Sequence, residues 1–409
     1  MSVTEDLPVG YRKLTMRKVI LIISFILFHI FILSQLYYWL RGITRWKYLL
    51  VFLAAAETAA AFFPLAGAFW LWGRELKDTF LRTGNRILGI DIYLALGFII
   101  LLIVRLMAAM LRHPFGKIPC RPAAWIAFLA CISFTAIMNG YGHRNAITNR
   151  VTSYTVQFTR DGSGAQPSAR EMKIVLLSDM HLGVNTDLNQ MEDMVRQVNE
   201  QAADVIFIAG DFFSSTFEGV KAEELEEIFS QMKAENGVYY VWGNHDVEEP
   251  LLFGFPLQKA SLARRPAKMD DFVRACGFRD INDKTLVIDN VQFAGRKDMD
   301  KTGDGKNKRK SAAQLLGGLR TDMPTVVIEH EPYDLDELQK NGADLVLSGH
   351  THGGQLWPGN ILVRFMYKNA AGQKKVGGME TITTAGIGTY GPPLRLGCAA
   401  EIPVISLYY

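Results

Sequence analysis

Residues 18–40, KVILIISFILFHIFILSQLYYWL, form an apolar run of the length that a bilayer-crossing helix needs, about 20 residues. Three further runs follow at 49–73, 88–111 and 123–140. Aromatic residues gather near their ends (Tyr37, Tyr38, Trp39, Trp46, Trp70, Trp72, Trp125), the pattern expected where rings sit at headgroup level. A cleaved secretory signal would account for the first run alone. The pattern predicts an all-α bundle of about four transmembrane helices over residues 1–140. Glu57, Asp91 and Arg105 fall inside these runs, where charge is costly and pairs or lines a cavity, and a structural ion pair is the expectation. Asp91 reads as lying near one helix end, and His29 and His113 have no evident partner.

Charge divides the chain. Residues 1–150 hold 17 Lys and Arg against 6 Asp and Glu, and the remainder holds 27 against 35. The acidic second part makes nucleic acid an unexpected partner. Within the first part, basic residues before the first run and in the second connection (Arg12, Lys13, Arg17, Lys18, Arg74, Lys77, Arg82, Arg86) slightly outnumber those in the alternate connections. The positive-inside rule then puts both ends, and the catalytic part, on the cytoplasmic side of a multi-pass cell-membrane protein, by a small margin. The four cysteines, Cys120, Cys131, Cys276 and Cys398, lie far apart and argue against a disulfide scaffold or a thiolate metal site.

Residues 141–171 are polar and contain DGSGAQPSAR, which reads as a linker into a domain over 172–409. Short apolar runs there (KIVLLSD, DVIFIAGD, GVYYVWGNHD, TVVIEHEP, DLVLSGH) alternate with helical patterns at 187–203 and 222–235, predicting an α/β layered domain. The stretch 297–311, with KTGDGKNKRK, reads as a solvated loop.

Each apolar run ends in residues that bind metals: Asp179 and His181, then Asp211, then Asn244 and His245, then His330, then His350 and His352. Five of the eight histidines lie in these segments. Ligands of open α/β sheets bind beyond the carboxyl ends of strands, so the five clusters can converge on one crevice. Alternation along an extended chain would aim both members of Asp-x-His and His-x-His the same way. Carboxylate, amide and imidazole donors without thiolate suit divalent Mn, Fe, Zn, Co or Ni. Two ions about 3.5–4 Å apart need a shared carboxylate, and Asp211 is the candidate. Gly210, Gly243 and Gly349, each beside a ligand, allow close backbone approach.

Taken together, the motifs Asp179-x-His181, Gly210-Asp211, Gly243-Asn244-His245-Asp246, His330 and Gly349-His350-x-His352 resemble the calcineurin-like metallophosphoesterase superfamily. The continuation Gly353-Gly354-Gln355 is similar to a bacterial membrane-associated phosphohydrolase branch. The resemblance covers 172–409 and implies a layered metallophosphoesterase domain with two divalent metal ions. It implies Asp179, His181 and His352 as ligands of one metal and Asn244, His330 and His350 of the other, with Asp211 bridging. By the same resemblance His245 contacts phosphate and assists the leaving group, and Asp246 orients His245. Arg395 reads equally as a phosphate contact or as scaffold.

The expected activity is a membrane-anchored phosphohydrolase that cleaves a phosphomonoester, phosphodiester or pyrophosphate by attack of a metal-bridged hydroxide. Its substrate could be lipid-linked. The rival reading is a membrane sensor or transporter that works through Glu57, Asp91 and Arg105, with a regulatory metallophosphoesterase-like domain.

Overall fold

The computed structural model describes residues 16–43, 47–69, 74–111, 121–158, 170–252, 255–256, 260–305 and 308–409. Its contacts divide the chain into two compact units: Met1–Tyr141 with Pro250–Gln258 and Gly391–Pro393, and Gly142–Glu249 with Lys259–Tyr390 and Leu394–Tyr409.

The first unit is built from helices α1 (Met16–Ile43), α2 (Lys47–Phe69), α3 (Arg74–Met110) and α4 (Arg121–Ile147), whose last residues belong to the second unit. Among the described residues three are long and apolar enough to cross a membrane: Val19–Ile43, Lys77–Met110 and Arg121–Ile147. The expected run 49–73 is helical to Phe69; its last residues, with Trp46, Trp70, Trp72, His113 and Cys120, lie outside the described ones. Ile32, Trp39, Leu40, Leu94, Phe98 and Cys131 pack among the helices, while Ile23, Leu27, Ile103 and Met107 face outward. Trp39 is therefore a core residue and not a headgroup ring. A Cβ on Gly97 would lie 2.6 Å from Cys131 Sγ, the close approach that small residues give helices in lipid. The expected Arg105 ion pair is absent among the described residues, because its guanidinium carbon sits 3.9 Å from the centre of the Tyr38 ring. His29 Nδ1 lies 3.0 Å from Glu57 Oε1 instead.

The remaining elements follow in order: β1 (Asn149–Gln157), β2 (Glu171–Leu177), α5 (Leu188–Glu200), β3 (Val205–Ala209), α6 (Ala222–Phe229), β4 (Val238–Val241), the short hairpin β5 (Leu251–Leu252) and β6 (Phe255–Pro256), α7 (Ala267–Ala275), β7 (Arg279–Asp280), β8 (Lys284–Ile288) and β9 (Val291–Gly295). Then come α8 (Ala312–Leu316), β10 (Thr325–Ile328), α9 (Leu335–Lys340), β11 (Leu345–Ser348), α10 (Gly359–Met366), β12 (Gly372–Val376), β13 (Met379–Thr383) and β14 (Ala400–Tyr408).

Twelve of these strands form two six-stranded sheets, in the orders β1-β14-β2-β3-β4-β7 and β12-β13-β11-β10-β9-β8. Strands β2, β3, β4 and β7 run parallel, as do β13, β11, β10 and β9. Parallel strands buried on both faces read as unbroken apolar runs, and alternation divides their side chains between two cores. Ile174, Leu176 and Phe207 meet Phe293, Val326 and Leu347 between the sheets, with the Phe207 and Phe293 rings 4.8 Å apart. Val175, Leu177, Ile206 and Ile208 face the other way, onto Met191, Met194, Val195 and Val198 of α5. The result is a layered helix–sheet–sheet–helix arrangement, with α8 and α9 on the outer face of the second sheet.

Three local expectations differ from the structure. The segment expected as linker contributes β1, which pairs in parallel with β14 along Asn149↔Ala400 to Gln157↔Tyr408. The helix expected over 222–235 ends at Phe229. There Asn199 donates to Gln231 O and accepts from Lys233 N, which takes the backbone out of the helical ladder. The loop expected to be solvated buries Asp298, Lys301 and Thr302, because the Lys301 ammonium pairs with buried Glu249.

Candidate metal centre

All eight metal-seeking residues lie just past strand ends: β2 supplies Asp179 and His181, β3 Asp211, β4 Asn244 and His245, β10 His330, and β11 His350 and His352. Alternation along extended strands is not what brings them together. Asp179, His181, Asp211, His350 and His352 follow the strands and take φ of 55°, 49°, 54°, 71° and 50°. Left-handed backbone is costly for side-chain-bearing residues and gathers at functional sites that the surroundings over-determine. Here the bonds Asp179 N→Gly210 O and Gly349 N→His330 O, both 3.0 Å, hold the loops in that shape.

The glycines act as expected. A Cβ on Gly349 would lie 2.0 Å from Ser178 Oγ and 2.4 Å from Asp179 Oδ2, and one on Gly243 would lie 2.3 Å from Asp211 Oδ1.

The ligand atoms fall into two overlapping groups. Asp179, His181 and His352 each bring one donor atom within 4.8 Å of the others, and so do Asp179, Asp211 and His330. His181 Nε2 lies 3.0 Å from His352 Nε2, which is 3.3 Å from Asp179 Oδ1. Asp211 Oδ2 lies 3.8 Å from His181 Nε2 and 3.1 Å from His330 Nε2. Asn244 Oδ1 lies 3.0 Å from both His330 Nε2 and His350 Nδ1. Partners further out set two of the rings. His330 Nδ1 donates to Ala209 O at 2.7 Å, which turns Nε2 to the cluster, and His350 Nε2 meets the Tyr367 hydroxyl at 3.0 Å.

The electrostatics of the bare cluster point to missing positive charge. Burial pushes His181 down to about 4 and His350 to about 3, and holds His352 well below the usual imidazole value, so these rings are neutral near pH 7. Burial pushes Asp179 up to about 6. Burial also disfavours charge on His330, but the Asp211 carboxylate, helped by Asp179 and Asp298, more than offsets this and holds its pKa well above the ordinary value. A proton on His330 thus takes the place a cation would fill. Neutral imidazoles, carboxylates and an amide oxygen aimed at one another form a donor set that fits divalent metal.

Two expected roles change. Asp246 does not touch the His245 ring. Its Oδ2 accepts from Asp211 N (2.9 Å) and Gly243 N (2.8 Å), and its Oδ1 from Phe213 N (3.0 Å). The ring is held by Ser215, whose Oγ is 2.6 Å from His245 Nδ1 and donates to Glu249 Oε1 at 3.3 Å. Tyr390 lies against the same ring, with centroids 4.3 Å apart. Arg395 is fully buried and its guanidinium donates to Ala385 O, Gly388 O and Ala399 O, so it is scaffold. No sequence motif marks Ser215, Glu249, Lys301, Glu331, Tyr367 or Tyr390, although Ser215 sits only four residues past Asp211.

Sheets flanked by helices, with this donor set at the carboxyl ends of their strands, have the architecture of a metal-dependent phosphoesterase domain. Residues 172–354 match the calcineurin-like phosphoesterase family. A Bos taurus transmembrane protein with metallophosphoesterase domain is 29% identical over 295 residues, 71% of this chain and 63% of its own length. An uncharacterized metallophosphoesterase of Aquifex aeolicus is 28% identical, over 67% of this chain and 98% of its own. The Escherichia coli phosphodiesterase YaeI is 26% identical, over 59% of this chain and 83% of its own. Membrane association agrees with the three apolar helices and with the bovine relative's name.

Proposed function

We propose that the chain is a dinuclear-metal phosphohydrolase held at the membrane by its helical unit, with the catalytic unit on the cytoplasmic side. Asp179, His181 and His352 would hold one divalent cation and Asn244, His330 and His350 the other, with Asp211 shared. The observation that carries this reading is the position of Asp211 Oδ2, which faces His181 Nε2 at 3.8 Å and His330 Nε2 at 3.1 Å. Bound there, the cations supply Lewis acidity toward a phosphoryl oxygen and lower the pKa of water for in-line attack at phosphorus. His245, held by Ser215, stands ready to give a hydrogen bond or proton to the leaving oxygen. Asp246 keeps the turns that carry Asp211 and Asn244 in shape through backbone bonds.

A lipid-linked phosphate ester or pyrophosphate suits this chain. Beyond the helical unit, α10 exposes Ile361, Leu362, Phe365 and Met366, and the residue that follows it, Tyr367, bonds candidate ligand His350. An apolar surface adjoining the site offers room for acyl chains. The name of the E. coli relative adds weight to a diester.

The test is hydrolysis of an aryl phosphate, its diester and a lipid pyrophosphate by the purified full chain in nanodiscs with Mn²⁺. Activity lost on Asp211→Asn supports the reading. A folded, metal-loaded chain that cleaves none of the three overturns it. Protease accessibility of the catalytic unit in intact cells tests its side; cleavage from outside refutes the cytoplasmic placement.

A further inference from the structure

His29, Glu57 and Asp91 come from three different helices, and each stands at the middle of its own. His29 is residue 14 of the 28 in α1, Glu57 residue 11 of the 23 in α2, and Asp91 residue 18 of the 37 in α3. Asp91 is thus remote from any helix end, unlike its placement from sequence, because α3 begins at Arg74. One donor atom from each of the three lies within 4.8 Å of the others. The side chains of His29 and Glu57 are each 9% exposed, and Asp91 is buried. His29 Nδ1 meets Glu57 Oε1 at 3.0 Å, while His29 Nε2 is buried with no hydrogen-bond partner.

Ionisable groups at mid-membrane depth are expensive and persist where something compensates them. No Lys or Arg among the described residues forms an ion pair with Glu57 or Asp91, and Arg105 is engaged by Tyr38. An imidazole and two carboxyl groups thus face one another with no basic side chain among the described residues beside them, a donor set that one divalent cation would join.

We propose that His29, Glu57 and Asp91 form a metal site inside the helical unit, separate from the catalytic centre, for a divalent cation of the zinc class. One imidazole and two carboxylates are three protein ligands of the kind Zn²⁺ takes, with a further position left for water. Lipid gives helices no hydrophobic drive to associate, so an ion shared by α1, α2 and α3 would tie them together.

The test uses the full chain in nanodiscs, with both halves of the catalytic cluster disabled by Asp179→Asn, His352→Ala, Asp211→Asn and His330→Ala and with Zn²⁺ alone as probe. Bound zinc is counted after desalting. The expected result is that adding Glu57→Gln and Asp91→Asn removes one further equivalent, and that Zn²⁺ raises the unfolding temperature of the parent but not of the added variant. Zinc content unchanged by those two substitutions overturns the site, as does a parent that retains no zinc; the triad is then a hydrogen-bonded pair with a neighbouring acid. If the added variant does not accumulate, X-ray absorption of zinc in the parent decides. A mixed nitrogen and oxygen shell supports the site, and a sulfur-containing or all-oxygen shell overturns it. Failure here leaves the phosphohydrolase reading untouched, because the two sites share no residue.

Discussion

His245 Nδ1 lies 2.6 Å from the Ser215 hydroxyl, while the adjacent carboxylate of Asp246 turns away to bind three backbone N–H groups. The two neighbours of the ring therefore do separable jobs. Ser215→Ala removes the ring's anchor and leaves the turns intact, so kcat should fall about 10–100-fold with metal content unchanged. Asp246→Asn offers one oxygen where two carboxylate oxygens served three donors, leaving a buried N–H facing an amide NH₂. That costs about 1–3 kcal/mol per unsatisfied group, and it should loosen the loops of Asp211 and Asn244. Metal content measured beside kcat separates them, and equal metal loss in both variants would refute the division of labour.

The division also shows where sequence reading stops. Short motifs at strand ends disclosed the candidate ligands, because strand termini and ligand residues are encoded together, as in β3 followed by Gly210-Asp211. The layered α/β class was legible for the same reason: buried parallel strands leave unbroken apolar runs. Ser215, Tyr367 and Glu249 were not legible, since a hydrogen bond between residues 17 to 34 positions apart leaves no local pattern. Nor was β1, whose half-buried strand pairs with β14, some 250 residues away. Lys301 was misread because its charge suggested water, and only the fold shows Glu249 beside it.

Metal removal should make stability depend on pH in a stated direction. In the metal-free chain, burial and then the Asp298 charge push Glu331 up to about 9, and His330 is held well above its ordinary value. Both groups bind more protons folded than unfolded, so their contribution is present at low pH and lost as pH rises through the folded values. The lowered histidines, His181, His245 and His350, oppose this only below about 6.5, the free imidazole value. Between pH 7 and 9 the chelated chain should therefore lose about 1.4 kcal/mol per pH unit for each proton released. Restored Mn²⁺ should flatten the slope, since a cation replaces the His330 proton. Thermal unfolding at pH 7, 8 and 9, with and without chelator, checks this; a chelated chain that grows more stable toward pH 9 contradicts it.

Gly349 carries a sharper steric demand than Gly210 or Gly243. Its added Cβ would fall 2.0 Å from Ser178 Oγ and 2.4 Å from Asp179 Oδ2, and neither can retreat, because Ser178 Oγ donates to Ala209 O at 2.8 Å and Asp179 accepts from His350 N at 3.0 Å. Gly349→Ala should displace Asp179 and His350 together and abolish most activity with loss of bound metal. Gly183→Ala, where a Cβ meets nothing within 4 Å, serves as the control and should keep full activity. Metal content and turnover of the two variants decide it.

Tyr367 and Glu331 both address His350 Nε2, at 3.0 Å and 3.7 Å, and this sets up a non-additive pair. The tautomer that presents Nδ1 to the cluster needs an acceptor at Nε2, and either oxygen can provide it. Tyr367→Phe leaves Glu331 as a substitute, at the longer distance and held largely protonated by burial. It should weaken Mn²⁺ affinity only a few-fold. Glu331→Gln alone keeps the tyrosine and should do less still. The double variant removes the hydroxyl and leaves only a side-chain amide where the carboxylic acid stood, so the loss should reach the 10–100-fold typical of a ligand stripped of its supporting hydrogen bond. The excess over the two single effects is the coupling between them. Mn²⁺ titration of activity in all four proteins measures it, and strictly additive losses would show that the two residues do not act through His350.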